Sequence, residues 1–546
     1  MVSTLVCTKG LRHLYLMRSG RAISTEHPRQ KYARLSGSYH ARQLLGLVIG
    51  LVVGLAAARS FAEGLLDAPT PLAQALQMVS SDRMLADIRT LTGPEFKGRQ
   101  TGTPDDLASA GFVQRRFVQL FAQRSPVSVP YAMPDQPPDR AWFQSTAVHS
   151  TTIDHAPILQ PILGSDSSPA LIGTDYLPIL DSSSADLQAS IVFAGYGISD
   201  PAGGIDEYAG LDVRNKVVLF LRGKPDRYGK QVSHAEKART AQARGAIGFV
   251  TATGPILNAY EIRRGVTGRP SAFYGLTDPH EAIPGAWIST SLASAILSAQ
   301  QPDGSDRLRT LQQQVNESLT PRSMATDVAI TMRWQSVQQD GTLHNVVSIV
   351  PGQDAAHQRE AIVIGAHRDH FGQQGGLLFA GADDNASGTA VLLEIARVLA
   401  SAPTGLKRSI VLVSFSGEEQ GLLGSKFYVT HPVVPLPSTF AMINVDHAGV
   451  GNGRLTVGVT GLEKTAVQRA GETAGLADRI DLFGFFPGGD HVPFKEAGIP
   501  TVTIVSSGVH PHFHQPTDTV DTLNPDILST TARYVLGLAW QLAGAP

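Results

Sequence analysis

Apolar and polar positions change rhythm three times along the chain. From residue 345 onward, apolar runs of strand length (NVVSIVPG, EAIVIGAH, SIVLVSFSG, FAMINVDH, RLTVGVT and IPTVTIVSSG) alternate with helical segments such as GTAVLLEIARVLASA. Continuous apolar strands separated by helices predict an α/β fold, with a mostly parallel sheet covered by helices on both faces. Asn524-Pro525 is a helix start, and PDILSTTARYVLGLAWQLAG predicts an amphipathic helix at the end of the chain. Between residues 186 and 333 the texture is different. Short apolar strands (SIVFAGYGI, KVVLFLRG, AIGFVTAT) surround one helical stretch near HAEKARTAQARGA, which predicts a compact β-rich inserted module. Upstream, Ala110, Val113, Phe117, Leu120 and Phe121 fall at helical spacing and predict a helix from about residue 105 to 122. A Pro-rich stretch follows over 125–140. The expected organisation is therefore an N-terminal extension (1–62), a first part of the main domain with linker (63–185), the inserted module (186–333) and the main α/β domain (334–546). No internal repeat is evident.

Length supports this division, because 546 residues exceed what one core accommodates. With 42% apolar and 17% charged residues the chain has the composition of an ordinary globular protein. The cysteine count is more informative. Cys7 is the only one, so the body holds no disulfide and no thiolate, and any zinc must sit on His and carboxylate. Residues 1–62 carry nine of the 45 Lys and Arg but only one of the 47 acids, Glu26, which leaves the body at a net charge of −10. Such a body is a poor partner for nucleic acid. Arg42, the 15-residue apolar run at 44–58, and the small residues Ser60 and Ala62 fit an export signal, so a periplasmic or secreted location is expected. The Gly46, Gly50, Gly54 spacing allows a retained membrane anchor instead, although 15 residues are short for a span.

The chemistry-bearing residues fall where strands end. AIVIG leads into His367 and Asp369, SIVLVSFSG into Glu418-Glu419, FAMINV into Asp446, and IPTVTIVSSG through a loop to His514. In open α/β sheets, sites form in the crevice at the carboxyl ends of strands. Four strand ends and the Asp384 loop would thus bring His, Asp, Glu, Asp and His to one place, a set of nitrogen and oxygen donors suited to zinc. Individually each piece has an ordinary explanation. Glu-Glu suits a helix start, Asp383-Asp384-Asn385 a turn, Asp446 a helix cap, and His510, His512 and His514 a His-rich loop. Together they fall at strand ends of a single domain.

GAHRDH, GADDNASG, SGEEQGLLGS, INVDHAG, GDHVPF and HFHQPTDT, in that order, make the chain resemble the co-catalytic di-zinc exopeptidases, which include bacterial leucyl-type aminopeptidases and glutamate carboxypeptidase. The likeness runs from about residue 85 to the end, and the insert resembles a protease-associated domain. The resemblance implies two zinc ions per chain, one held by His367 and Asp446, the other by Glu419 and His514, with Asp384 bridging and its peptide to Asn385 cis. Glu418 would be the general base, while Asp369 orients His367 and Asp490 supports from outside. Peptides would be the substrates. The chain has no H-E-x-x-H, no G-x-S-x-G and no Cys near a His. Ending with this domain, without the helical dimerisation domain of the carboxypeptidase and receptor branch, it is expected to be an aminopeptidase. A carboxypeptidase, a single-zinc glutaminyl cyclase and a non-catalytic receptor-like protein are the alternatives, and Arg368 and Arg454 are the cations a carboxypeptidase would need nearby.

Overall fold

The structure, a computed structural model, describes residues 70–122, 141–163, 168–258, 261–262, 266–276, 282–299, 306–402 and 405–544. The expected signal or anchor at 44–58 and Cys7 lie outside them. Among the described residues no helix is long and apolar enough to cross a membrane.

A 13-stranded mixed sheet runs through the body. Its catalytic half follows the order Ile480–Phe483, Leu455–Thr460, Thr501–Ser506, Thr439–Val445, Ala361–His367, Ser409–Phe415 and Met324–Val350. The four central strands of this half, 361–367, 409–415, 439–445 and 501–506, run parallel to their neighbours in that set. Alternation within the strands explains why they read as unbroken apolar runs. Ile362, Ile364, Ile410 and Leu412 face a core shared with helices Ser81–Leu91, Pro104–Phe121, Gly388–Ser401 and Pro525–Leu542. Val363, Val411 and Val413 face the opposite core, with Tyr428 and Phe494 from helices Leu423–Thr430 and His491–Glu496. The expected helix near 105–122 is Pro104–Phe121, started by Thr103, whose side chain accepts from Asp106 N, and by Pro104 in the first turn.

The insert continues the same sheet. Ala185–Phe193, Val217–Leu221, Gly248–Ala252 and Gly285–Ile288 lie parallel in sequence order, covered on both faces, with Val217 and Leu219 in one core and Val218 and Phe220 in the other. The link between the halves is the 27-residue strand Met324–Val350. Its first part pairs with Ala185–Phe193 and its last with Ser409–Phe415, and it therefore spans the expected junction at 333/334. Along much of its length it pairs antiparallel with the 21-residue strand Ala141–Pro161.

Candidate metal centre

The catalytic strands deliver their polar ends to one edge of the sheet. His367 is the last residue of its strand, Asp446 follows the strand Thr439–Val445, and Glu418 and Glu419 follow Ser409–Phe415 by three and four positions. Asp384 sits in the turn 382–387 that feeds helix Gly388–Ser401, and its peptide bond to Asn385 is cis. The turn begins at Gly381, with φ +58, where a Cβ would run into the Asp384 carbonyl and the His370 ring. His367 Nε2 lies 3.4 Å from Asp384 Oδ1 and 3.5 Å from Asp446 Oδ1. His514 Nε2 lies 3.1 Å from Asp384 Oδ2 and 3.3 Å from Glu419 Oε2. Asp384 thus offers one oxygen to each side.

Three of these four separations exceed the usual hydrogen-bond range, and all lie close to the spacing of about 3.3 Å between ligands of a tetrahedral ion with bonds of ~2.0–2.1 Å. His367 Nε2 and Asp446 Oδ1 are buried without a hydrogen-bond partner, a costly state that a bound cation would relieve. The donor set of imidazole and carboxylate fits zinc. His367, Asp384 and Asp446 form one group able to hold an ion; His370, Asp384 and Glu419 form another.

A second layer fixes the first. His367 Nδ1 meets the Asp369 carbonyl oxygen at 3.2 Å. The Asp369 carboxylate accepts from Thr101 Oγ1 at 2.9 Å and from the backbone N–H groups of Glu418 and Glu419 at 3.3 Å each. A single buried carboxylate therefore ties the His367 loop to the Glu-Glu turn. Asp518 accepts from the N–H groups of Asp383 and Asp384 at 2.9 and 3.0 Å, which holds the Asp384 turn. Of the Asp383-Asp384 pair, only Asp384 faces the centre. The Asp383 carboxylate accepts from Gly449 N, Val450 N and the rings of His447 and His510. His370, His447, Asp518 and Thr101 were not singled out from sequence, and His510 was named only as part of a His-rich loop. His370, His447 and Asp518 had a signal, since each lies within a quoted motif; Nδ1 of His370 is 2.7 Å from Glu419 Oε1.

Concentrated charge governs the titration of the site. His367 is held protonated well above its ordinary value: burial opposes this, but Asp369, Asp384 and Asp446 outweigh it. Asp384 is likewise resisted by burial yet pulled well below the carboxylate range by His447, His367 and His514. Burial pushes Glu418 far up, with neighbouring acids adding to it against His367. Glu419 rises for the same reasons, burial first and then Asp384 and Glu418. Asp490, at the start of helix His491–Glu496, is pushed to about 7 by burial against the opposing His367. Bound cations would offset the crowding of these acids, as they would satisfy the unpartnered atoms.

A cavity of about 690 Å³ opens over the cluster. Its lining combines Asp384, Glu418, Glu419, Asp446, Asp481, His447 and His514 with an apolar set, Phe483, Phe486, Val505, Val509 and Phe513. None of the described lining residues is Lys or Arg. Arg368 points away from the cavity. It is fully buried and donates to Asp106 Oδ1 at 2.6 Å, Ser109 Oγ at 3.1 Å and the Ser414 and Phe415 carbonyls. Arg454 is spent on a two-pronged pair with Asp481 at 2.9 and 2.5 Å.

Comparison with known proteins agrees with this architecture. Residues 345–539 match peptidase family M28, and residues 185–296 match the PA domain. Aminopeptidase YwaD from Bacillus subtilis (strain 168) is 30% identical over 211 residues, covering 37% of this chain and 45% of that protein. Leucine aminopeptidase 1 from Arthroderma otae is 28% identical over 253 residues, covering 43% of this chain and 66% of its own length. The chain thus spans about half to two-thirds of the curated relatives it matches. The aminopeptidase from Aneurinibacillus sp. strain AM-1 has a similar fold, with a TM-score of 0.60 and 21% identity over 86% of this chain and 95% of that one. BSAP, a zinc aminopeptidase from Bacillus subtilis, gives a TM-score of 0.55 and 20% identity over the same shares.

Proposed function

Since the chain carries a peptidase family M28 domain at residues 345–539 and a PA domain at residues 185–296, we propose that it is a zinc-dependent aminopeptidase that removes residues from the N-terminus of peptides. Two zinc ions per chain would be held, one by His367 and Asp446 and the other by Glu419 and His514, with Asp384 shared. When bound, zinc acidifies water, polarises the scissile carbonyl and stabilises the charge that develops on its oxygen. The chain's own residues do the rest. Glu418 lines the cavity beside the ligand Glu419 and is the group able to take the proton of the attacking water and deliver it to the leaving amine. Burial first, and the neighbouring acids next, raise the Glu418 carboxyl; bound cations would lower it again and leave Glu418 able to act as a base. Asp369 fixes the His367 ring and the Glu418-Glu419 backbone. The apolar part of the lining would receive the side chain of the N-terminal residue. The basic, apolar N-terminal segment supports export of the protein, with a membrane anchor only if residues 44–58 are retained.

The observation that carries the aminopeptidase reading is the charge of the cavity. A carboxypeptidase needs a fixed cation to clamp the terminal carboxylate. Here the described lining carries acids and no Lys or Arg; Arg368 is buried against Asp106, and Arg454, beside the lining residue Asp481, is engaged in a two-pronged pair with it. A positively charged α-amine suits such a pocket. The test is hydrolysis of leucyl- and alanyl-arylamides by the purified protein, expected to proceed with zinc and to stop when the amine is acetylated. Faster cleavage of an N-acetylated dipeptide with a free carboxylate would assign it to the carboxypeptidase branch instead.

A further inference from the structure

The two halves of the centre are braced differently. The His367 ring is oriented from within its own loop, by the carbonyl two residues on. His514 has its second ring nitrogen, Nδ1, 2.8 Å from the carbonyl oxygen of Ala272, a residue of the PA domain. The contact is reciprocal at the backbone, since Ala272 N–H donates to the His514 carbonyl at 3.0 Å. The next residue, Gln515, reaches the same segment. Its Nε2 donates to the Pro270 carbonyl at 2.7 Å and to Ser271 Oγ at 2.9 Å. Ala272 and Gln515 are both buried, so water does not compete for these bonds. Two residues further on, Tyr274 packs on Phe371 with ring centroids 5.8 Å apart, and Phe371 meets the His514 ring edge-on at 4.6 Å. Gly275 and Leu276 donate to Asp181, which lies just ahead of the strand Ala185–Phe193 and holds the segment from its other side.

An ordinary interdomain contact would not need this arrangement. His514 adopts φ +55, a conformation that residues with side chains rarely take, so local chain preference does not hold the imidazole where it is. A ligating imidazole depends on the acceptor at its other nitrogen for tautomer and direction. We infer that the PA domain is a structural part of the metal centre: the backbone of residues 270–272 positions His514, and docking of this segment sets the metal affinity of the Glu419–His514 half. This rests on the two-zinc reading above. It makes the insert part of the centre itself, because a shift of the segment would loosen one ion and leave the other in place.

The experiment is zinc titration of the full chain, stripped with a chelator and competed against a chromogenic chelator. Two variants test it: Gln515→Leu, which removes both side-chain ties at similar volume, and Ala272→Pro, which removes the N–H donated to His514. Each is expected to weaken one ion by about tenfold or more, the loss typical of disturbing the partner of a ligating imidazole, with the other ion unchanged. His367→Ala identifies the unaffected ion as the one that substitution removes. Wild-type affinity for both ions in both variants overturns the inference. So does equal weakening of both ions, which would signal general loosening of the fold rather than positioning of His514. Wild-type protein that takes up no zinc would overturn the function reading itself, a result distinct from either.

Discussion

At the scale of single residues, Glu418 and Glu419 are neighbours in sequence with different surroundings. Both line the cavity, but Glu419 is engaged by two rings as well, its Oε2 facing His514 and its Oε1 meeting His370. Glu418→Gln keeps shape and zinc but cannot take a proton, so kcat should fall at least ~100-fold with metal content unchanged, whereas Glu419→Gln should lose metal. The opposite pattern would reverse the two roles. Asp518 allows a second prediction, because burial first, and Asp383 next, push its carboxyl up to about 8. Unfolded, the group releases its proton near pH 4, so between about pH 4 and 8 the folded metal-free chain binds the extra proton. Stability from this group must then fall as pH rises through that window. Urea midpoints of chelator-stripped protein should therefore decline between pH 5 and 8 relative to those of Asp518→Asn, and parallel curves would refute the assignment. The grouping of His367, Asp384, Glu419, Asp446 and His514 was legible because each side chain follows an apolar strand or opens a helix. What holds them was not. Asp518 acts on backbone N–H groups, and Ala272 acts through a carbonyl that every residue possesses.

Among the elements, legibility followed burial. Strands covered on both faces, such as Ala361–His367 and Ser409–Phe415, read directly as apolar runs, and helices announced their starts. The closing helix shows this. Asn524 accepts from Asp526 N at 2.8 Å and Ile527 N at 3.4 Å, with Pro525 in the first turn. Asn524→Ala should cost about 1 kcal/mol of stability, read from denaturation midpoints, and leave zinc content untouched because the cap lies outside the ligand set. A loss of zinc without loss of stability would show that this helix start matters to the site in some other way. The strand pair Ala141–Pro161 with Met324–Val350 escaped sequence reading, apart from the apolar end near NVVSIVPG. Its middle carries Gln338, Gln339 and Asp340 opposite Thr151, Ser150 and His149, polar on both faces, so neither the two-residue nor the helical rhythm appears there. Such a strand is specified by its partner rather than by a core.

For the body as a whole, that strand joins two modules the sequence suggests as separate. The two regions centre on different cores, although Phe371 and Phe379 of the catalytic region pack into that of the insert, and one continuous main chain, Met324–Val350, is hydrogen-bonded to the insert at one end and to the catalytic sheet at the other. The contacts of Ala272 and Gln515 with the His514 loop fasten them a second time. Domains linked by a flexible tether unfold independently, whereas domains sharing a strand cannot lose one half without fraying the other. Trp287 lies in the insert and Trp540 in the closing catalytic helix, both buried, so each reports on its own half. Variants in which Trp287 or Trp540 is the sole tryptophan, the other three of the four being replaced, should show coincident fluorescence transitions in denaturant, matching far-UV circular dichroism, in zinc-loaded protein. Removing zinc should shift both transitions together to lower denaturant, because a ligand bound only by the folded state stabilises everything that unfolds with its site. If the Trp287 transition stays fixed while that of Trp540 moves, the insert folds on its own account and the shared strand does not couple the halves.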